Sequence, residues 1–258
     1  MNKQFYEELL AKFQKANKQR KLYLANKAGY DNIADYKKAL DASIKGYSEV
    51  TTVTKPVIHN VHILDTSGSM SGDKIRNAVN GINAELEELK KDTEVTYKQT
   101  IVTFNSLIHV KHFNEPIHNV PKINVASSGM TALYQAIGET IVNILHESTG
   151  EKVLIKIFTD GEENSSRGKF RNAYEVSKII KKAEANNCTV TFVGTAADVK
   201  NIIKQLSIDY TNTLIHDNTG KGVEEAFTRS ISATKTYSKK VLAGEDVLTG
   251  FYKTTETL

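Results

Sequence analysis

The chain has one cysteine, Cys188, among 258 residues, so no intrachain disulfide can form. No apolar run approaches the ~20 residues that a membrane-spanning helix requires. Residues 1–13 carry Glu7 and Glu8 among their apolar side chains and lack the uninterrupted apolar core of a signal peptide. Together these absences set the expectation of a reducing, cytoplasmic setting without a membrane partner. The common catalytic signatures are missing too: there is no Gly-x-Ser-x-Gly elbow, no His-Glu-x-x-His helix and no Walker lysine loop. Thr219-Gly220-Lys221-Gly222 has the residue types of a phosphate loop without its spacing, and Gly161 and Gly168 are too scattered for a dinucleotide loop.

What is present suits a globular protein. Hydrophobic residues make up 40% and charged residues 25%, and the length allows one large core or one domain with an extension. The net charge of +4 is unevenly placed. Residues 1–50 hold ten Lys/Arg against six Asp/Glu, while the other 24 and 24 cancel. The surplus reads as a solvated helix face, with a basic docking surface for nucleic acid or an acidic partner as the alternative. Phe13, Tyr23 and Tyr30 lie among these charges, but no known nucleic-acid motif accompanies them, and nucleic acid is not an expected partner.

Apolar spacing predicts helices through residues 1–50. Phe5, Leu9, Leu10, Phe13 and Ala16 share one face, and Lys15 to Lys21 ends or extends that helix. Asp31 is the expected N-cap of a second helix carrying Ile33, Tyr36, Leu40 and Ile44, with Gly46 at its end. Beyond the connector Thr51 to Pro56, Val57 to Leu64 reads as a buried strand. His59 and His62 within it are expected to be satisfied core residues and not ligands. Ile75, Val79, Ile82, Leu86 and Leu89 mark an amphipathic helix ending at Lys90-Lys91. Glu94 to Phe104 and Leu107 to Phe113 predict a hairpin at a sheet edge around a two-residue turn, Asn105-Ser106. Pro116 and Pro121 mark a loop. A helix from Thr131, a strand over Glu151 to Thr159, a helix carrying Phe170 to Ala183 and a strand over Cys188 to Thr195 follow. Cys188 reads as a buried filler. A short helix over Asp198 to Leu206, a strand over Thr211 to Ile215 and a helix facing Val223, Phe227, Ile231 and Thr234 inward complete the pattern. In the tail, Gly250-Phe251-Tyr252 is a candidate to return onto the body. This alternation predicts an α/β protein whose parallel sheet is covered on both faces.

Three stretches carry the chemistry. Leu64-Asp65-Thr66-Ser67-Gly68-Ser69-Met70 closes the first strand with an acid and two hydroxyls at alternating positions. Ser127-Ser128-Gly129-Met130-Thr131 leads into a helix. Phe158-Thr159-Asp160-Gly161 closes another strand. Oxygen-only donors suit a hard divalent cation, and ligands of such sheets bind beyond the carboxyl ends of the strands. In this order the three stretches resemble the von Willebrand factor type A domain with its metal-ion-dependent adhesion site, in its intracellular stand-alone form. The resemblance runs from about Val57 to about Tyr237. It implies a Rossmann-like, doubly wound, mainly parallel sheet with one antiparallel edge strand, here with an N-terminal helical extension. The expected organisation is a basic helical extension over 1–50, the family domain over 51–238 and a tail over 239–258. It further implies a metal set of Asp65, Ser67, Ser69, Thr131 and Asp160 holding Mg²⁺ or Mn²⁺. Ser67 and Ser69 would ligate directly, Thr131 would join in the ligand-competent state, and Asp65 and Asp160 would hold metal-bound waters. A partner's Asp or Glu would complete the shell, so the expected function is metal-dependent protein binding and not catalysis.

The enzymatic alternative is a metal-dependent, phosphoesterase-like hydrolase using the same ion. A haloacid-dehalogenase-type phosphatase wants a second aspartate two residues after the first, where this chain has Ser67. Glu162 and Glu163 follow Asp160: one of them orders that loop or tunes the site, or both are plain surface acids. Met70 is expected to pack beneath its loop.

Overall fold

The computed structural model describes residues 3–15, 18–48, 55–147 and 150–253. The chain separates into two compact units, Met1–Thr54 and Lys55–Leu258. The first contains α1 (Lys3–Lys15), α2 (Lys18–Lys27) and α3 (Ile33–Ser48). These amphipathic helices bury a small core of Phe13, Ala25, Tyr36 and Leu40. Phe13 meets Tyr36 edge-on, with ring centroids 5.2 Å apart. Two expected boundaries differ. Asn32, and not Asp31, caps α3, its side-chain oxygen accepting the Asp35 amide at 2.9 Å. Helix α3 also continues through Gly46 to Ser48. Ala16 lies outside the described residues.

In the second unit six strands stand in the order β3-β2-β1-β4-β5-β6. They are β1 (Val57–Asp65), β2 (Thr96–Phe104), β3 (Ile108–Pro116), β4 (Lys152–Phe158), β5 (Cys188–Gly194) and β6 (Thr213–Ile215). Only the β2–β3 pairing is antiparallel. The doubly wound sheet with one antiparallel edge strand is therefore the observed fold. The β2–β3 connection takes three residues and not two: the Asn105 amide donates to the Leu107 carbonyl at 3.0 Å, and Phe104 pairs with Ile108.

Because both faces of β1 and β4 are covered, their residues alternate between two cores. Ile58, Leu64, Leu154 and Phe158 pack with α4 (Asp73–Lys90) and α8 (Gly220–Leu242). Val61, Ile63, Ile155 and Ile157 pack with α5 (Leu133–Glu147), α6 (Ala173–Glu184) and α7 (Ala196–Leu206). Cys188 is buried in this second core, and burial pushes its thiol up to about 12, so it is an inert filler. Helix α8 runs through residue 239, where a separate tail was expected to begin. Past it, Val247, Phe251 and Tyr252 are buried in the first core. The inward stripe of α8 also differs from expectation. Val223, Phe227 and Thr234 face inward as expected, but Ile231 is only half-buried, and Ser230 and Ser238 face inward beside Thr234.

The α4–α8 contact is tight at one point. A Cβ on Gly81 would lie 2.3 Å from Cγ of Phe227, whose ring stacks on Phe158 at 4.2 Å and cannot back away. Gly81→Ala gains up to about 1 kcal/mol of helix propensity but overpacks this contact at a cost of about 3 kcal/mol, the upper end of the usual range for so close an approach, so a net loss of about 2 kcal/mol is expected in thermal unfolding. An unchanged or raised melting temperature would show that α8 can shift outward at little cost.

Candidate metal centre

At the carboxyl edge of the sheet, β1 and β4 deliver the two acids. Asp65 is fully buried at the end of β1. Its Oδ1 accepts the Ser67 amide at 2.7 Å, and its Oδ2 accepts the Thr159 hydroxyl at 2.5 Å. The Asp65–Ser67 bond curls the chain so that Ser67 and Ser69 point the same way, their Oγ atoms 3.0 Å apart. Ser69 donates to Asp160 Oδ1 at 2.7 Å. The other oxygen of Asp160 is ion-paired with the Lys74 ammonium.

The third loop is knitted to the first through its backbone. The Gly68 amide donates to the Gly129 carbonyl at 3.0 Å, and the Ser128 amide donates to Thr66 O at 2.8 Å. Gly129 takes a left-handed φ of 78°, a conformation that favours glycine. Ser127 reaches Ser71, Oγ to Oγ, at 3.0 Å. Both serines thus help to order the loop ahead of Thr131. The Thr131 amide donates to the Asn164 side chain at 2.8 Å, and its carbonyl accepts the Asn164 and Ser165 amides. Glu163 orders this corner: it accepts the Ser165 and Ser166 amides at 2.9 and 2.7 Å and caps α5 through the Tyr134 amide at 2.8 Å. Of the readings left open for Glu163, loop ordering is the one observed. Glu162 is exposed.

Gly161 shows how closely the loops meet. A Cβ there would lie 3.2 Å from Ser69 Oγ, 3.5 Å from Thr131 Oγ1 and 3.8 Å from Asp65 Oδ2. Oxygens from the first two stretches therefore approach one point above Gly161 of the third. All five residues singled out from the sequence are gathered here: Asp65 with Ser67, Ser67 with Ser69, Ser69 with Asp160, and Thr131 beside Ser69 and Asp65. The donor set is all oxygen, with two carboxylates and three hydroxyls, and it fits a hard divalent cation. Burial pushes the Asp65 carboxyl up to about 6, with Asp160 adding to the rise and hydrogen bonds from Thr159 and Ser67 opposing it.

Thr159, Asn164, Lys74 and Asn218 were not singled out from the sequence. Thr159 adjoins a named acid and could have been tested as its partner. Nothing local to Lys74 reveals a contact 86 residues away. Met70 is buried beneath its loop. His59 and His62 bond away from this edge, His59 to Thr100 of β2 at 2.8 Å and His62 to Glu85 of α4 at 2.8 Å. Among the described residues, no three His, Cys, Asp or Glu side chains cluster as a metal site.

The sequence model of the von Willebrand factor type A domain matches residues 61–229, well over half of the chain. The chain belongs to this family. No curated protein matches it. Its fold recurs in solved structures at low identity. The D319A mutant of the PilB minor pilin from Streptococcus sanguinis is 9% identical, with a TM-score of 0.57, over 76% of this chain and 65% of that one. Proximal thread matrix protein 1 from the mussel byssus, solved with a zinc-occupied MIDAS motif, is 13% identical, with a TM-score of 0.52, over 77% and 52%. A von Willebrand factor type A protein from Catenulispora acidiphila is 14% identical, with a TM-score of 0.51, over 69% and 43%. The chain thus spans less than two thirds of the length of each. At these identities the likeness shows the fold alone. No helix among the described residues of this von Willebrand factor type A protein is long and apolar enough to cross a membrane.

Proposed function

We propose that this chain is a protein-interaction module that captures a partner's Asp or Glu carboxylate through a bound Mg²⁺ or Mn²⁺. The observation that carries this reading is the convergence of Ser69, Thr131 and Asp65 oxygens within 3.8 Å of one point beside Asp160. Ser67, Ser69 and Thr131 would hold the ion, with Asp65 and Asp160 acting through water. Neutral hydroxyls donate little charge, so the ion supplies a Lewis-acidic seat for an anionic group. The mussel protein with zinc in its MIDAS motif supports such a site in a similarly folded chain. The match to the von Willebrand factor type A model does not favour the hydrolase alternative. A single, buried cysteine accords with work in the cytoplasm.

Calorimetric titration with MgCl₂ and MnCl₂ tests the reading. The wild type should take up one ion, and Asp65→Ala should weaken uptake about 10–100-fold, as expected for loss of a group that orients a metal shell. Partners retained on the immobilised chain in Mg²⁺ should be released by EDTA and absent with Asp65→Ala. Identical recovery under all three conditions would refute the metal bridge.

A further inference from the structure

We propose that Lys74 is a competing cation built into the metal rim: it holds Asp160 in the metal-free protein, and a divalent ion must draw on the same carboxylate against it. The inference rests on the metal-centre reading above and concerns how that centre is regulated. Asp160 has both oxygens engaged, Oδ1 by the Ser69 hydroxyl at 2.7 Å and Oδ2 by the Lys74 ammonium. The pair is sheltered, with side-chain exposures of 17% for Lys74 and 0% for Asp160, so water screens it less than a surface pair.

Lys74 is also fixed from behind. Its ammonium donates to Asn218 Oδ1 at 2.9 Å, in the connection from β6 to α8. That connection is seated on the first turn of α4. Asn77 donates to the Gly220 carbonyl at 2.9 Å, and a Cβ on Gly220 would lie 2.6 Å from Cβ of Asp73. The lysine is therefore held in place by three segments and is not a loose surface chain. Its single positive charge offsets one of the two carboxylates at the centre, Asp65 and Asp160. The same charge repels an arriving ion. The α8 connection, through Asn218, sets how firmly that repulsive charge is applied.

Titrating the full chain with MnCl₂ by calorimetry separates this from a supporting role. Lys74→Met keeps most of the length of the side chain and removes its charge, and should bind Mn²⁺ about tenfold more tightly than the wild type. Asn218→Ala leaves the charge but frees it, and should tighten binding roughly threefold by the same electrostatics. Lys74→Arg should stay near the wild type. In metal-free buffer Lys74→Met should melt at a lower temperature, with Mn²⁺ restoring more stability than it adds to the wild type. Equal or weaker Mn²⁺ binding by Lys74→Met would overturn the inference and make Lys74 a residue that positions Asp160 for the ion. If the wild type and all three variants take up no Mn²⁺, the metal-centre reading itself falls.

Discussion

Replacing Lys156 with methionine is expected to destabilise the protein by about 3–5 kcal/mol, the usual cost of leaving a buried charge without its partner. Lys156 sits in the middle of β4 with its side chain fully buried, and its ammonium pairs with the equally buried Glu85 of α4. Thr234 of α8 donates to Glu85 Oε1 at 2.8 Å and lies 3.3 Å from the Lys156 ammonium. His62 Nε2 meets Glu85 Oε2 at 2.8 Å, and Gln99 Nε2 meets His62 Nδ1 at 3.0 Å. A neutral imidazole protonated at Nε2 satisfies both contacts. Burial by itself would raise the Glu85 carboxyl, but Lys156 and His62 hold it well below its usual range; burial likewise lowers the Lys156 ammonium, and Glu85 opposes that fall. Methionine fills much of the lysine's volume and strands the carboxylate. An ordinary domain has only about 5–15 kcal/mol of stability to lose. Chemical denaturation followed by circular dichroism measures the effect. The double variant Glu85→Leu/Lys156→Met should be more stable than the sum of the single losses allows, with a coupling of about 0.5–3 kcal/mol. A Lys156→Met cost below about 1 kcal/mol would mean that water reaches Glu85.

The second large effect is acid sensitivity through His59. This imidazole is fully buried on β1 against the Thr100 hydroxyl, which also accepts the Asn114 amide at 2.9 Å. Burial pushes it down to about 4, and Lys98 adds to the fall. The unfolded chain takes up this proton near 6.5, whereas the folded chain resists until about 4. The unfolded state therefore gains protons first as pH falls. The stability that His59 contributes is complete above about pH 6.5 and is lost as pH drops toward 4, by about 3 kcal/mol in all. His62 is shifted the same way by burial. Asp65 runs in the opposite sense in metal-free protein. Its raised carboxyl favours the folded state below about pH 4, and that gain is lost as pH rises through about 6. The comparison must therefore be between the wild type and His59→Gln. The variant should lose less stability between pH 7 and pH 4.5, read from denaturant midpoints. Parallel curves would show that His59 is not held neutral by the fold.

Much of the fold can be read from periodicity. The spacing of Ile75, Val79, Ile82, Leu86 and Leu89 marks the face of α4 that is buried. The apolar run from Val57 marks a strand covered on both sides. The three loops were legible because each joins an apolar strand or helix to an unusual cluster of hydroxyls and acids. Where the reading differed at α8 and at the β2–β3 connection, a polar contact was the cause. Apolar spacing alone put Ile231 on the inner face of α8, but Glu85, Lys156 and Tyr97 wait there, and hydroxyls fill those positions. Ser238 meets Tyr97 at 2.5 Å. The three-residue β2–β3 connection differs because the Asn105 side chain accepts the Leu107 amide at 2.9 Å and closes a wider turn.

The amino-acid order by itself determined the α/β alternation and which residues carry oxygen at the sheet edge, because helix and strand periods and loop composition are local properties. Only the tertiary structure decided that Lys74 faces Asp160, that Glu163 caps α5 and that Glu85 and Lys156 meet in the core. Each of those contacts depends on strand register and helix packing between segments at least 29 residues apart, where an exposed acid and a buried one are written with the same letter.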